Sequence, residues 1–246
     1  MKKHSFTMNL ALAVVALSIS AQASPISIVN FSFETPTVPS DGTFVLAPGA
    51  SGANFNGWGW VKTTGGGFQD YGIENSGAGA YTGATGSGTP LGADGINDCF
   101  LNQSLTGGAV VNIFQDVGIL APNMTYTLTV AIGQRLDRVN GSATIGLIDT
   151  ASANTDPWGT GTLLNSTTGV SSVAGSFQDF ITTFTTGSSV TGDLYVGAQY
   201  LGDGTIQASV DNFRLDAVAV PEPGTMALAS LSGLAILALR RRATKM

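Results

Sequence analysis

Thr125-Tyr126-Thr127-Leu128-Thr129-Val130-Ala131-Ile132 alternates apolar with small or hydroxyl side chains. A period of two puts Tyr126, Leu128, Val130 and Ile132 on one face of an extended chain, which predicts a half-buried β-strand. Working outward, residues 109–117, 177–184, 193–199 and 205–216 behave similarly. Gly, Asn, Asp and Ser punctuate these runs, and no capped amphipathic helix of useful length lies between them. Many short strands at close spacing predict an all-β sandwich or barrel. Residues 63–95 interrupt the pattern. They are rich in Gly, Ala, Ser and Thr, with Phe68, Tyr71 and Tyr81 among them, and read as long loops over the sandwich rim.

Both ends of the chain obey other rules. Lys2 and Lys3 precede the apolar residues 8–20, and Ala21-Gln22-Ala23 supplies the small-x-small pattern of a secretory cleavage site. Residues 1–23 therefore read as a signal peptide and residues 24–219 as one exported domain. Beyond it, residues 220–246 hold Pro221-Glu222-Pro223, a Gly/Ala/Leu run over 224–239, and Arg240-Arg241-Arg242. That run has 16 residues, short of the ~20 that cross a bilayer comfortably, but it is apolar on nearly every face. Arginines at its far end suit a cytoplasmic anchor, so 224–239 is expected to be a transmembrane helix entered from outside.

This tail resembles the PEP-CTERM sorting signal of Gram-negative bacteria over the last 26 residues, through Pro221, Glu222, Pro223, Gly224, Thr225, the apolar run and Arg240 to Arg242. The resemblance implies recognition by an exosortase, a membrane transpeptidase-like enzyme that cuts near the triplet. It also implies transient anchoring in the inner membrane, then a place at the cell surface or in an exopolysaccharide matrix.

Charge and rare residues exclude several function classes. Without its two tails the chain keeps Lys62, Arg135, Arg138 and Arg214 against 15 acids, a balance near −11. Such a surface is a poor partner for nucleic acid or anionic lipid, and a better one for neutral glycans and divalent cations. Cys99 is the sole cysteine, so no intramolecular disulfide forms. The sole histidine, His4, lies in the signal peptide, which removes Ser-His-Asp catalysis and Cys/His zinc centres from the exported part.

Within the domain, Asn30-Phe31-Ser32-Phe33-Glu34, Gly57-Trp58 and Val210-Asp211-Asn212-Phe213-Arg214-Leu215 form a recurrent pattern. It resembles the galactose-binding-like jelly rolls, the fold of many carbohydrate-binding modules. The resemblance implies a jelly-roll β-sandwich whose first and last strands lie together. It also implies a structural calcium ion, with Glu34 and Asp211 as the ligands carried over. Calcium takes six to eight oxygens, which strand ends rich in loops can supply. The bland alternative is a solvated Glu34 and a turn-forming Asp211.

Aromatic rings offer an apolar face to the C–H side of a sugar. Trp60, Tyr71 and Trp158 lie in or beside Gly-rich segments and are the candidates for such contacts, while Gly57-Trp58 suits the core. Arg135 offers a planar fork for hydroxyls or a carboxylate, or else an ion pair with Asp137 or Asp116. Nothing marks out a catalytic carboxyl pair among the acids. The expectation is a non-catalytic glycan-binding module; a structural matrix protein or a glycoside-processing enzyme are the alternatives.

Overall fold

The structure, a computed structural model, describes residues 22–38, 42–47, 54–62, 69–77, 79–84, 88–103, 110–201 and 207–221. Residues 1–21 of the expected signal peptide, the expected helix 224–239 and Glu222, Pro223 and Arg240 to Arg242 lie outside the described residues, as does Phe68. Among the described residues no helix is long and apolar enough to cross a membrane.

The first strands are β1 (Ser24–Ile26), β2 (Thr43–Leu46), β3 (Asn54–Phe55), β4 (Trp58–Lys62), β5 (Gln69–Asn75), β6 (Asp98–Gln103) and β7 (Val111–Ile119). The long strand expected at 125–132 is β8 (Met124–Gln134), followed by β9 (Ala143–Thr150) and one helical turn, α1 (Pro157–Thr160). The chain closes with β10 (Thr162–Gly169), β11 (Ser176–Thr185), β12 (Asp193–Tyr200) and β13 (Gln207–Ala219). One sheet has the order β11-β8-β13-β6-β5-β2, with β1 also on β13, and the other runs β10-β9-β12-β7-β4-β3. Every pairing is antiparallel. The fold is all-β, a two-sheet jelly-roll sandwich.

Alternation decides what each sheet contributes to the core. On β8, Tyr126, Leu128, Val130 and Ile132 are all buried in it. Facing them are Ile113 of β7, Ile145 and Leu147 of β9 and Val196 of β12. The two sheets also touch along one side. There Thr167 Oγ1 donates to Ile181 O at 2.7 Å and Asn165 Nδ2 to Thr183 O at 2.7 Å, so β10 and β11 are stitched by side chains.

Residues 63–95 depart from the rim-loop expectation. They contain β5, in which Tyr71 and Ile73 face the core while Asp70, Gly72 and Glu74 face outward. Ala80, Tyr81 and Ala84 pack on Ala131 and Phe177, so this loop covers the outer face of the seven-stranded sheet. Its strand was hidden because glycine and charge occupy every outward position, a pattern that also reads as loop.

The three segments that carry the domain resemblance meet inside the molecule. Trp58 stacks 4.6 Å from Phe213 and 5.3 Å from Phe33, and Phe33 meets Phe213 edge-on at 5.9 Å. Trp58 Nε1 donates to Asn30 O at 3.2 Å, so the buried indole is also hydrogen-bonded. Around this knot the chain takes left-handed backbone at Phe33 and Asn212, and a β-bulge interrupts β13 between Asp211 and Arg214.

Candidate functional site

The bulge in β13 and the turn after Phe33 aim two carboxylates at one loop. Glu34 Oε1 accepts from the backbone N–H groups of Ile96 and Asn97, both at 2.9 Å. Asp211 Oδ2 accepts from the Asp94 N–H at 2.7 Å. The two expected calcium ligands therefore hold opposite ends of the same turn, residues 94–97. Gly95 takes a positive φ there, and a Cβ on it would strike the Glu34 carboxylate. Burial raises both carboxyl pKa values against the backbone hydrogen bonds that lower them; the charge of Asp94 adds to the rise at Glu34, and those of Asp98 and then Asp94 to the rise at Asp211. Asp211 Oδ1 and both amide atoms of Asn97 are buried with no hydrogen-bond partner. Unsatisfied oxygens beside half-buried negative charge suit a hard, oxygen-preferring cation. Among the described residues no three His, Cys, Asp or Glu groups are placed to hold a metal ion together, so carbonyls and water would complete such a shell.

A second polar cluster lies on the outer face of the same sheet, where β5 and β6 run in register. Glu74 stands opposite Asp98, Gly72 opposite Phe100, and Asp70 opposite Asn102. Arg135, one residue past β8, reaches across this face. Its Nη1 lies 2.8 Å from Glu74 Oε1, and its Nε and Nη2 grip the two Asp137 oxygens at 2.8 and 2.9 Å. Gln207 Nε2 adds a 2.6 Å bond to the same Glu74 oxygen, and Arg138 Nη1 donates to Gln207 Oε1 at 3.1 Å. Behind Glu74, Asp98 is fully buried and accepts from Ser76 Oγ at 2.5 Å. Burial, then the charge of Glu74, pushes the Asp98 carboxyl well above its ordinary value of 3.8. Tyr81 closes the cluster from above, its ring 6.0 Å from the Arg135 guanidinium.

In front of this network is a cavity of about 170 Å³. Phe44, Leu46 and Phe100 form its apolar side; Glu74, Asn102, Arg138 and Gln207 form its polar side. Phe44 is 58% exposed and meets Phe100 edge-on at 5.8 Å, so its ring is presented to solvent on a fixed support. Gly72 leaves the space that the Phe100 ring occupies. Asn102 Oδ1 is buried and has no hydrogen-bond partner. A larger, more open depression of about 330 Å³ lies on the opposite sheet between Gly59, Phe114, Asp116 and Tyr195. Its two rings, Phe114 and Tyr195, are 95% buried or more, against the 58% exposure of Phe44.

Most of the residues proposed for sugar contact lie elsewhere. Trp60 is 2% exposed and Tyr71 fully buried, both in the core, so neither can stack on a ligand. Trp58 and Trp60 are two residues apart on β4, and the core that takes one takes the other. Trp158 is half-buried. It lies over Gly146 and Gly197 on the outer face of the six-stranded sheet and donates Nε1–H to Ile113 O at 3.1 Å. Arg135 does line the cavity, but it is buried and its guanidinium is held by Glu74 and Asp137, the ion-pair alternative, rather than presented as a free fork. Phe44, Asn102 and Gln207 were not singled out from sequence. They come from three strands far apart in the chain and share no motif, and only register brings them together.

Similarity to known proteins bears on both parts of the chain. A family model described as HpiC1 cyclase, HpiC1-like, matches residues 24–216, and one described as the PEP-CTERM protein-sorting motif matches residues 219–242. No curated protein matches the chain. Among solved structures, the Stig cyclase Fisc from Fischerella sp. TAU, in complex with (3Z)-3-(1-methyl-2-pyrrolidinylidene)-3H-indole, is 19% identical with a TM-score of 0.59. That match covers 81% of this chain and 100% of the cyclase. A cyclase from Fischerella sp. TAU in complex with 4-(1H-indol-3-yl)butan-2-one is 18% identical, with the same TM-score of 0.59 and the same coverages of 81% and 100%. A structure titled "CBM4 structure and function" aligns at a TM-score of 0.46 and 16% identity, over 78% of this chain and 99% of that one. At these identities the fold is what is shared. The cyclase description also stands against a simple non-enzymatic reading of the domain. The chain belongs to the HpiC1-like family and ends in a PEP-CTERM sorting motif that marks it for export and sorting.

Proposed function

We propose that this exported protein binds a neutral, hydroxyl-rich ligand, a sugar unit of a surface or matrix glycan, in the corner pocket lined by Phe44, Asn102 and Gln207. One observation carries the reading: an exposed ring and a buried acceptor without a donor, Asn102 Oδ1, belong to residues that line the same cavity. A sugar supplies both complements, a C–H face for the ring and hydroxyl donors for the oxygen. The cations lining the site already have carboxylate partners, Arg135 in Glu74 and Asp137 and Arg138 in Asp137, so a charged ligand gains little. At about 170 Å³ the pocket is small beside the ~300–1,000 Å³ of sites that enclose drug-sized ligands, which suits one ring or a chain end. Calcium belongs to this proposal as a structural ion: Glu34, Asp211 and the Asn97 amide oxygen would hold it and brace the 94–97 turn.

A second reading, acid-assisted cyclisation, has family membership in its favour. Aromatic ligands such as the indoles bound by the Fischerella cyclases would suit the Phe44 side of the pocket. The carboxyls are less favourable. Glu74 reaches the pocket, but its Oε1 is taken by Arg135 and Gln207. Asp98, whose pKa is pushed up, is sealed behind it. Binding therefore fits the geometry better than proton transfer to a ligand.

Three outcomes are expected. In calorimetry with matrix oligosaccharides, Phe44→Ala should weaken saturable binding by about 10-fold, whereas Trp158→Ala should leave it unchanged; equal loss in both variants would remove the pocket from the reading. Calcium at 100-fold excess over its dissociation constant should raise the melting midpoint by roughly 5–10 °C. Asp211→Asn should abolish that rise, and a midpoint indifferent to both calcium and chelator would eliminate the ion. The third outcome concerns Asp98. Its raised folded pKa means the native state binds the extra proton, so the contribution of Asp98 to stability is fully present below pH 3.8 and is lost as pH climbs above it. Asp98→Asn should lose that component, gaining midpoint at neutral pH but not in acid. Parallel pH profiles would show that Asp98 is not the protonated group, and loss of a cyclisation activity in the variant would move the second reading to the front.

A further inference from the structure

Three polar side chains share one row across the outer face of the seven-stranded sheet. Asn102 on β6 stands between Asp70 of β5 and Gln207 of β13, each directly opposite it. Side chains so placed have Cβ atoms roughly 5 Å apart, within reach of one another or of a single small ligand group. Asn102 Oδ1 and Asp70 Oδ1 are both buried, and neither has a hydrogen-bond partner. Gln207 does not serve them. Its Nε2 donates to Glu74 Oε1 at 2.6 Å and to Ser209 Oγ at 3.2 Å, and its Oε1 accepts from Arg138. Two neighbouring acceptors are therefore left without a donor, which is unfavourable until something supplies one.

We infer that Asp70 is a second ligand-binding residue of the corner pocket: its carboxylate and the Asn102 amide oxygen accept hydrogens from two adjacent hydroxyls of one sugar ring. The inference rests on the binding reading of the pocket. It extends the polar side by one strand and narrows the ligand to a ring that presents a diol beside the C–H face lying on Phe44.

The pair has a competitor in the proton. Burial raises the Asp70 carboxyl to about 6, against the opposing charge of Lys62 on β4. Among the described residues, β6 offers Asp70 the neutral Asn102 and β2 the apolar Leu46. Glu74 and Arg138 stand further along the same face, paired with Arg135 and Asp137. A protonated Asp70 is a donor beside an acceptor, so its O–H turns to Asn102 Oδ1 and both groups are lost to the ligand. An ionised Asp70 leaves both oxygens open. Binding therefore holds above about pH 6 and weakens below it.

The test follows the Asn102 side-chain amide of the exported protein by NMR while methyl glucopyranoside, galactopyranoside or mannopyranoside is added, each also as its singly deoxygenated counterparts. For a sugar that shifts the signal, removing either of two adjacent hydroxyls should weaken binding by about 10-fold, and removing any other by less than about 3-fold. Wild-type affinity should fall by about 10-fold from roughly pH 7.5 to roughly pH 5. Asp70→Asn, whose amide N–H donates to Asn102 at every pH, should show the lower affinity throughout, with no slope. The wild-type profile remains a measure should that variant fail to fold. A variant that binds like wild type, or keeps the wild-type slope, would overturn the role of Asp70 and leave the pocket standing. So would a wild-type affinity that does not change with pH. An Asn102 amide that no sugar moves at any pH would overturn the pocket reading and this assignment with it.

Discussion

The contact among Phe33, Trp58 and Phe213 is the constraint on which the rest of the domain depends. Phe33 comes from the segment after the first strand, Trp58 from the six-stranded sheet and Phe213 from the last strand of the seven-stranded sheet. Their stacking joins the two layers and both ends of the exported chain at one point. Three large rings buried together contribute through apolar area and through their mutual geometry. The backbone adapts around them, with left-handed residues at Phe33 and Asn212 and a bulge after Asp211. Those distortions turn Glu34 and Asp211 toward one turn, residues 94–97, that neither could reach from a regular strand. The loop ending in that turn then covers the polar face of the sheet.

How much of this was legible depended on whether the signal was local. The 125–132 strand and the start and end motifs were readable because alternation and aromatic spacing are properties of neighbouring residues. The strand at Gln69–Asn75 was not, since glycine and charge occupy its outward positions. The buried tryptophans were half legible. Two residues of spacing put Trp58 and Trp60 on one face, and once Gly57-Trp58 is given to the core, Trp60 must follow. Gly-rich surroundings had suggested exposure, whereas here glycines clear room for rings, as Gly146 and Gly197 do for Trp158. The ion pair of Arg135 with Asp137 was among the alternatives open from sequence, but Glu74, 61 residues away, was not. Phe44, Asn102 and Gln207 become a site only through register, which no single stretch encodes.

β13 also relates binding to address. Its first residue, Gln207, lines the pocket, and its last, Ala219, is two residues from the sorting triplet. A strand of 13 residues spans about 40 Å at roughly 3.3 Å per residue. The pocket and the start of the sorting motif thus lie at opposite ends of one strand.

Hydrogen–deuterium exchange with and without a matrix oligosaccharide tests the central claim most directly. Ligand in the corner pocket should slow exchange in peptides covering residues 42–46 and 100–103, and leave those covering 54–59, 112–116 and 154–158 unchanged. Slowing confined to the second group would contradict the account, since it would move binding to the opposite sheet, onto the open depression beside Phe114 and Tyr195.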